Sequence, residues 1–523
     1  MKPLPIGIQS FADLRKGGYL YVDKTQDIHR MITSGKTYFL FRPRRFGKSL
    51  LVSTLEAIFN GKKELFEGLY IDDKIDWEQH PVIKIDWSKI KHDSSQIVEE
   101  SMSGHLRLMA EDYQITLTQK YASDRFDEFI KLLYKQFGKQ VVILIDEYDM
   151  PILDALKKPD IVGDIRSFLQ SFYKVIKAND EYLRFVFLTG VSKFAKVSVF
   201  SGLNNPNDIT MNEKYVSICG YTQEELTSYF AEHITDFARS EKVSENEIIE
   251  SIRRWYNGFS WDGQTFVYNP FSTLILFDNK RFADYWFASA TPTFLIDLVH
   301  ERNDVKILLE STQIQASGFD SFEPAIIDTK LLLFQTGYLT VKKVDKSRFG
   351  EDLVYTLGIP NREVRQALMT HFVAAFASYP VSDTAPMRNR MLEQLFDGDT
   401  SAFERSIQEM FARIPYQLHI PREAYYHSML LLWLNLLGFE VMAEIPTDKG
   451  RIDAVWTWEE RVVIAEIKYA NRGACEKLLN DALAQIKKNC YHERYACSNR
   501  RIAFLAVAFA GKKIACRMEE VKE

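Results

Sequence analysis

The chain has 523 residues, 46% of them apolar and 26% charged, with a net charge of −5. That is material for about three domains at ~150 residues each; the composition is that of an ordinary soluble protein and excludes one coated in basic surface, so any nucleic-acid contact has to be local. The five cysteines show no C-x-x-C spacing, which fits a reducing cytoplasm, and with no signal-peptide pattern and no run near ~18 apolar residues no membrane partner is expected.

Residues 39–51, FLFRPRRFGKSLL, pass from an apolar strand through a turn ending Gly47-Lys48-Ser49 into a helix that closes at Gly61. This is the layout of a phosphate cradle. Backbone N–H groups wrap the phosphates, Lys48 reaches the β/γ oxygens, and the Ser49 hydroxyl ligates Mg²⁺ at the positive helix end. The pattern G-x-x-x-x-G-K-[ST] asks for glycine at position 42, where this chain has Arg42. A strand is predicted at 81–87 and another in VVILIDEYDMP, 141–151, ending in Asp146 and Glu147. Asp146 at that strand end is placed to hold the Mg²⁺ shell, and Glu147 to polarise a water for attack on the γ-phosphate. A third strand, 183–194, brings Thr189, Ser192 and Lys193 to a neighbouring strand end, although turn chemistry around Gly190 accounts for those three equally well.

Together YVDKT (21–25), RPRRFGKS (42–49), ILIDEYDMP (143–151), LTGVSKF (188–194) and YNGF…VYNPFS (256–272) resemble the predicted AAA-type ATPases near the STAND class of P-loop switches, over roughly the first 375 residues. The resemblance implies ATP as ligand and RPRRFGKS as a variant cradle, with Arg44 and Arg45 available to add positive charge at the phosphates. It also implies a helical lid in the aromatic-rich middle, where Tyr268-Asn269-Pro270 would meet the base or phosphates. Core packing is the default meaning of such aromatic density. Helix, hairpin and helix over 325–375 suggest a winged-helix module. The expected domains are a P-loop core at 1–210, a lid at 211–300, a winged-helix-like module at 301–377, a helical connector at 378–415 and a last domain at 416–523.

That last domain reads as helix, three strands, helix, strand, with Asp453 on one strand and Glu466-Ile467-Lys468 on the next. The period of two puts Glu466 and Lys468 on one face and Ile467 on the other. A buried Glu-x-Lys is costly unless paired or metal-bound. Asp453, Glu466 and the Ile467 carbonyl would ligate Mg²⁺ or Mn²⁺, and Lys468 would position the attacking water and stabilise charge on the scissile phosphate. The motif and its α-β-β-β-α-β setting resemble the PD-(D/E)xK nuclease superfamily over about 100 residues. By that resemblance Glu423 in the first helix, and Gln485 and Tyr491 in the second, are the auxiliary acidic, amide and aromatic groups; Glu423 also suits the helix dipole without any catalysis, and His427 is a weaker candidate.

The expected class is thus α/β: a P-loop NTPase parallel sheet with helical lid and winged-helix-like middle, followed by a restriction-endonuclease-like domain. The expected function is an ATP-binding or ATP-hydrolysing switch controlling a metal-dependent nuclease acting on DNA, in the cytoplasm, with homo-oligomerisation left open. The rival expectation is a sensing ATPase whose nuclease-like domain only binds nucleic acid or a protein.

Overall fold

A computed structural model describes residues 1–155, 159–193, 206–286, 312–319, 328–347, 350, 352–377, 381–412, 423–436, 439, 441–447, 450–458, 461–470, 473–498, 500–511 and 513–520. By internal contacts the chain forms two compact units, Met1–Trp286 with Gln313–Asn361, and Phe287–Thr312 with Arg362–Glu523.

The first unit is built on a five-stranded parallel sheet: β1 (Thr37–Phe41), β2 (Val82–Asp86), β3 (Val141–Asp146), β4 (Leu183–Gly190) and β5 (Asn207–Asp208), in the order β2-β3-β4-β1-β5. Every residue of β3 is buried, as expected of a parallel strand covered on both faces. The early helices are α1 (Phe11–Lys16), α2 (Thr25–Ser34), α3 (Lys48–Phe59), α4 (Ser95–Asp112), α5 (Ala122–Phe137), α6 (Met150–Ala155) and α7 (Pro159–Ala178). Helix α5 buries Phe126, Phe129, Ile130 and Leu133, the i, i+3, i+4, i+7 stripe of an amphipathic helix, and ends at Gly138 in the left-handed conformation.

Next come α8 (Gln223–Tyr229), α9 (Ala231–Glu241), α10 (Glu245–Tyr256) and α11 (Pro270–Asn279), with the short pair β6 (Asn257–Phe259) and β7 (Val267–Tyr268). Capping boxes start α8 (Thr222 with Glu225) and α10 (Ser244 with Glu247). Asn269 and Pro270 start α11, so Asn269 serves there as an N-cap. These helices share a core of Leu226, Phe230, Phe237, Ile252, Tyr256 and Phe277, into which Leu20 and Val22 also pack. The unit is completed by α12 (Thr329–Thr336) and a small sheet of β8 (Thr312–Gln315), β9 (Thr340–Lys346) and β10 (Leu353–Gly358), ordered β8-β10-β9. Gly337, which ends α12 at φ +90°, cannot be replaced freely: a Cβ would lie 2.7 Å from the Pro43 ring.

The second unit contains α13 (Arg362–Ala377), α14 (Val381–Phe396), α15 (Thr400–Ala412), α16 (Glu423–Leu436) and α17 (Cys475–Lys488) around a mixed sheet of β11 (Met442–Thr447), β12 (Gly450–Trp458), β13 (Arg461–Ala470), β14 (Arg501–Ala510) and β15 (Lys513–Glu520), in chain order across the sheet. Only β13 and β14 run parallel. Strand β15 extends the sheet beyond the four strands expected. The division at Asn361 leaves the β9–β10 hairpin in the first unit and α13 in the second. No described helix is long and apolar enough to cross a membrane.

Candidate active sites

The first site sits where β1 turns into α3. Gly47 has φ +85° with open space around its Cβ position, so the backbone conformation, not crowding, is what calls for glycine. Lys48 is buried and donates from Nζ to the carbonyls of Arg42 (3.1 Å) and Pro43 (3.2 Å). Asp146, at the end of β3, is hydrogen-bonded to the Ser49 side chain. Burial raises the Asp146 carboxyl above the usual carboxylate range; Ser49 and Lys48 oppose the shift, and Glu147 and Asp86 add to it. Asp86 ends β2 directly beside Asp146 in the sheet register. Glu147 follows at φ +54°, an uncommon conformation for a non-glycine residue, with its N–H donating to Asp146 Oδ1 at 3.0 Å. Strand β4 lies between β1 and β3 and places Thr189, fully buried, at its end; the Thr189 hydroxyl has no hydrogen-bond partner among the described residues.

Arg42 does not line the phosphate turn. Its buried guanidinium donates to the carbonyls of Phe41 (3.0 Å), Thr210 (3.1 Å) and Tyr215 (3.2 Å) and lies 3.8 Å from the Trp261 ring centroid. Burial pulls its pKa down to about 10, with Cys219, Asp208 and Asp262 opposing the shift. The arginine in the glycine position is therefore a structural anchor. Of the neighbouring arginines, Arg45 sits over Phe271 at 4.7 Å, and Arg44 is exposed with its carbonyl accepting from the Trp286 indole. Ser192 donates to Asp149, and Lys193 pairs with Asp208 at 2.8 Å, so both are held by internal partners. Beside Gly47 opens a cleft of about 70 Å³ whose walls include Val22, Lys24, Ile218, Cys219 and Pro270. Tyr268 turns its hydroxyl to Gln223, and Asn269 caps α11, so of that trio Pro270 is the one on the cleft wall. The Ile218–Cys219 wall was not anticipated from sequence; nothing in its local pattern marks it.

The second site lies across β12, β13 and α17. Antiparallel pairing of Ala454 with Ala465 sets Asp453 beside Glu466, one position further on. Asp453 is half-buried and its Oδ2 accepts the Ile467 N–H at 2.8 Å. Glu466 is 1% exposed; its Oε1 receives Lys468 Nζ at 2.8 Å, and the same ammonium reaches Gln485 Oε1 at 2.7 Å. Thus Asp453, Glu466, Lys468 and Gln485 come together from three elements. His427 Nε2 lies 3.2 Å from the Asp453 carbonyl and so carries the proton there. Glu423 opens α16, and its side chain lies outside the described residues.

Tyr491 corrects the sequence reading. Helix α17 stops at Lys488, Cys490 has φ +52°, and Tyr491 begins a 3₁₀ turn. Its hydroxyl donates to the Arg451 carbonyl at 3.0 Å and accepts from Asn489 at 2.8 Å, so it braces the start of β12. Among the described residues no cluster of three or more His, Cys, Asp or Glu side chains forms a metal cage. Two adjacent carboxylates and a strand carbonyl nevertheless suit Mg²⁺, which keeps several waters and needs one or two protein carboxylates.

Comparison with known proteins agrees at both ends. Residues 5–200 match the family model described as predicted AAA-ATPase, and residues 421–519 match the PD-(D/E)XK nuclease superfamily. Over 516 residues the chain is 38% identical to an uncharacterized protein in the vnfD 5′ region of Azotobacter chroococcum mcd 1, covering 97% of this chain and 96% of that one. The chain belongs to the AAA-ATPase-like family that carries a C-terminal PD-(D/E)XK domain. In this AAA-ATPase-like protein the phosphate turn lies inside the first matched segment, and Asp453, Glu466, Lys468 and Gln485 lie inside the second. No solved structure matches the chain.

Proposed function

We propose that this protein is an ATP-driven switch governing a Mg²⁺- or Mn²⁺-dependent nuclease that acts on DNA. One observation carries the reading: a preformed phosphate turn with Lys48, Ser49 and Asp146, and a strand-borne Asp453–Glu466–Lys468 set joined by Gln485, occur in one chain. At the first site Lys48 exchanges the two loop carbonyls for phosphate oxygens, Glu147 orients water, Thr189 offers its hydroxyl, and the cleft beside Gly47 takes the base. Ser49 and Asp146 would hold the magnesium of the nucleotide.

At the second site Asp453, Glu466 and the Ile467 carbonyl would hold the metal, which supplies Lewis-acid activation of water and phosphate. Gln485 and Glu466 hold the Lys468 ammonium at the reacting phosphate, where it stabilises developing charge.

The test incubates wild type, Lys48→Ala and Lys468→Ala with plasmid, linear and single-stranded DNA, in Mg²⁺ or Mn²⁺, with and without ATP. Wild type is expected to cut at least one form at an ATP-dependent rate. Lys48→Ala should bind ATP roughly 10- to 100-fold more weakly and lose the ATP response. No cleavage of any form by wild type, together with calorimetric ATP binding that depends on Lys48, would replace the nuclease with a sensing ATPase.

A further inference from the structure

We infer that Asp149 is a positioning residue for ATP hydrolysis: with Tyr148 it clamps the end of β4 to the turn after β3, fixing Thr189 relative to Glu147. The inference rests on the proposed ATPase reading and adds residues to it. Asp149 is fully buried. An aspartate just before a helix ordinarily caps that helix by accepting from its second or third N–H. Here the carboxylate reaches across to the segment that follows β4. Its oxygens accept the Val191 N–H (3.2 Å to each), the Ser192 N–H (2.7 Å) and the Ser192 hydroxyl (2.6 Å). A buried carboxylate is costly unless hydrogen-bonded, and these donors all come from the segment just after Thr189.

Tyr148 grips the same segment from both sides. Its N–H donates to the Thr189 carbonyl at 3.1 Å and its hydroxyl to the Ser192 carbonyl at 2.6 Å. Gly190 makes the approach feasible, because a Cβ there would lie 2.3 Å from Asp149 Oδ1 and 2.6 Å from the Tyr148 ring. The Gly190 carbonyl in turn accepts the Arg42 N–H at 3.2 Å, tying the clamped segment to the phosphate turn. The left-handed turn at Glu147, a conformation non-glycine residues seldom adopt, brings residues 148 and 149 beside the end of β4. The clamp thus holds two strand ends, one with Glu147 and one with Thr189, at a fixed spacing. Positioning of this kind governs turnover more than affinity, since small displacements of reacting groups cost large factors in rate.

The decisive measurement separates binding from turnover. Asp149→Asn keeps the shape and one acceptor but sets an amide N–H against the Val191 and Ser192 donors. With Mg²⁺ and ATP it is expected to hydrolyse at least tenfold more slowly while its ATP Kd, from calorimetry with a non-hydrolysable analogue, stays within about threefold. Tyr148→Phe, which removes the hydroxyl bond to the Ser192 carbonyl, and Ser192→Ala, which removes the hydroxyl bond to Asp149, should show the same split with smaller losses, and they decide the matter if Asp149→Asn does not fold. Wild-type turnover matched by all folded variants, or equal losses in affinity and rate, overturns the inference and leaves the ATPase reading standing. A wild type that binds but never hydrolyses ATP overturns that reading and this inference with it.

Discussion

On the proposed reading the two sites both handle phosphate, with different materials. At the first, charge is met by backbone: Lys48 rests on two carbonyls of its own turn. At the second, charge is met by side chains, with Lys468 shared between Glu466 and Gln485 and Asp453 anchored on one N–H. A backbone site is set by a short stretch of chain and tolerates changes around it. A side-chain site gathers from three elements and fails when any one shifts.

The largest effect that would sharpen this contrast is Lys468→Ala, expected to lower cleavage roughly 10²- to 10⁴-fold, with Gln485→Ala intermediate because Glu466 still holds the ammonium; equal, small losses in a plasmid-nicking assay would break the contrast. Next comes Arg42→Ala. Two long-range carbonyls lose their donor and a desolvated cation–π contact is lost, so chemical denaturation should show about 3 kcal/mol of destabilisation. An unchanged midpoint would make Arg42 dispensable to the cradle.

The third prediction concerns pH. Burial pushes the Asp149 carboxyl up to about 6; Glu147 adds to the shift and the Ser192 and Val191 bonds oppose it. Tyr173, on α7, also faces it, and Tyr148 is its chain neighbour. Because the folded value exceeds the unfolded one near 3.8, the folded state binds the extra proton. That contribution is fully present below pH ~4 and is lost as pH rises through about 6. The Tm of wild type relative to Asp149→Asn should therefore fall by a few degrees between pH 5 and pH 7; a pH-independent difference would place the titration elsewhere. The smallest effect is Tyr491→Phe, about 1 kcal/mol of stability with little change in cleavage, whereas a loss of cleavage at unchanged stability would return Tyr491 to the reaction.

Legibility followed the same divide. Gly47-Lys48-Ser49 and the acidic end of β3 could be read because each depends on neighbours in sequence, and the period of two along β13 correctly put Glu466 and Lys468 together. Arg42 could not be read as an anchor, because its partners Thr210 and Tyr215 lie far along the chain. Asp149 looks like a helix cap until its bonds to Val191 and Ser192, just past β4, are seen. The helical pattern of the sequence continues past Lys488 and carries Tyr491 into the helix, whereas the backbone turns at Cys490. Strand β15 is hard to read from sequence because its Lys, Arg and Glu residues obscure an alternation that buries only Ile514 and Cys516.

The Gly337–Pro43 contact bears on how the protein is made. Domains generally fold from the N-terminus as they leave the ribosome, yet the phosphate turn, synthesised early, meets its packing glycine only when α12 has emerged. The first unit also reclaims the chain from Gln313 to Asn361 after releasing it at Trp286. Until that stretch is translated, Phe41 and Pro43 lack Phe334 and Gly337, the residues at α12 that they pack against.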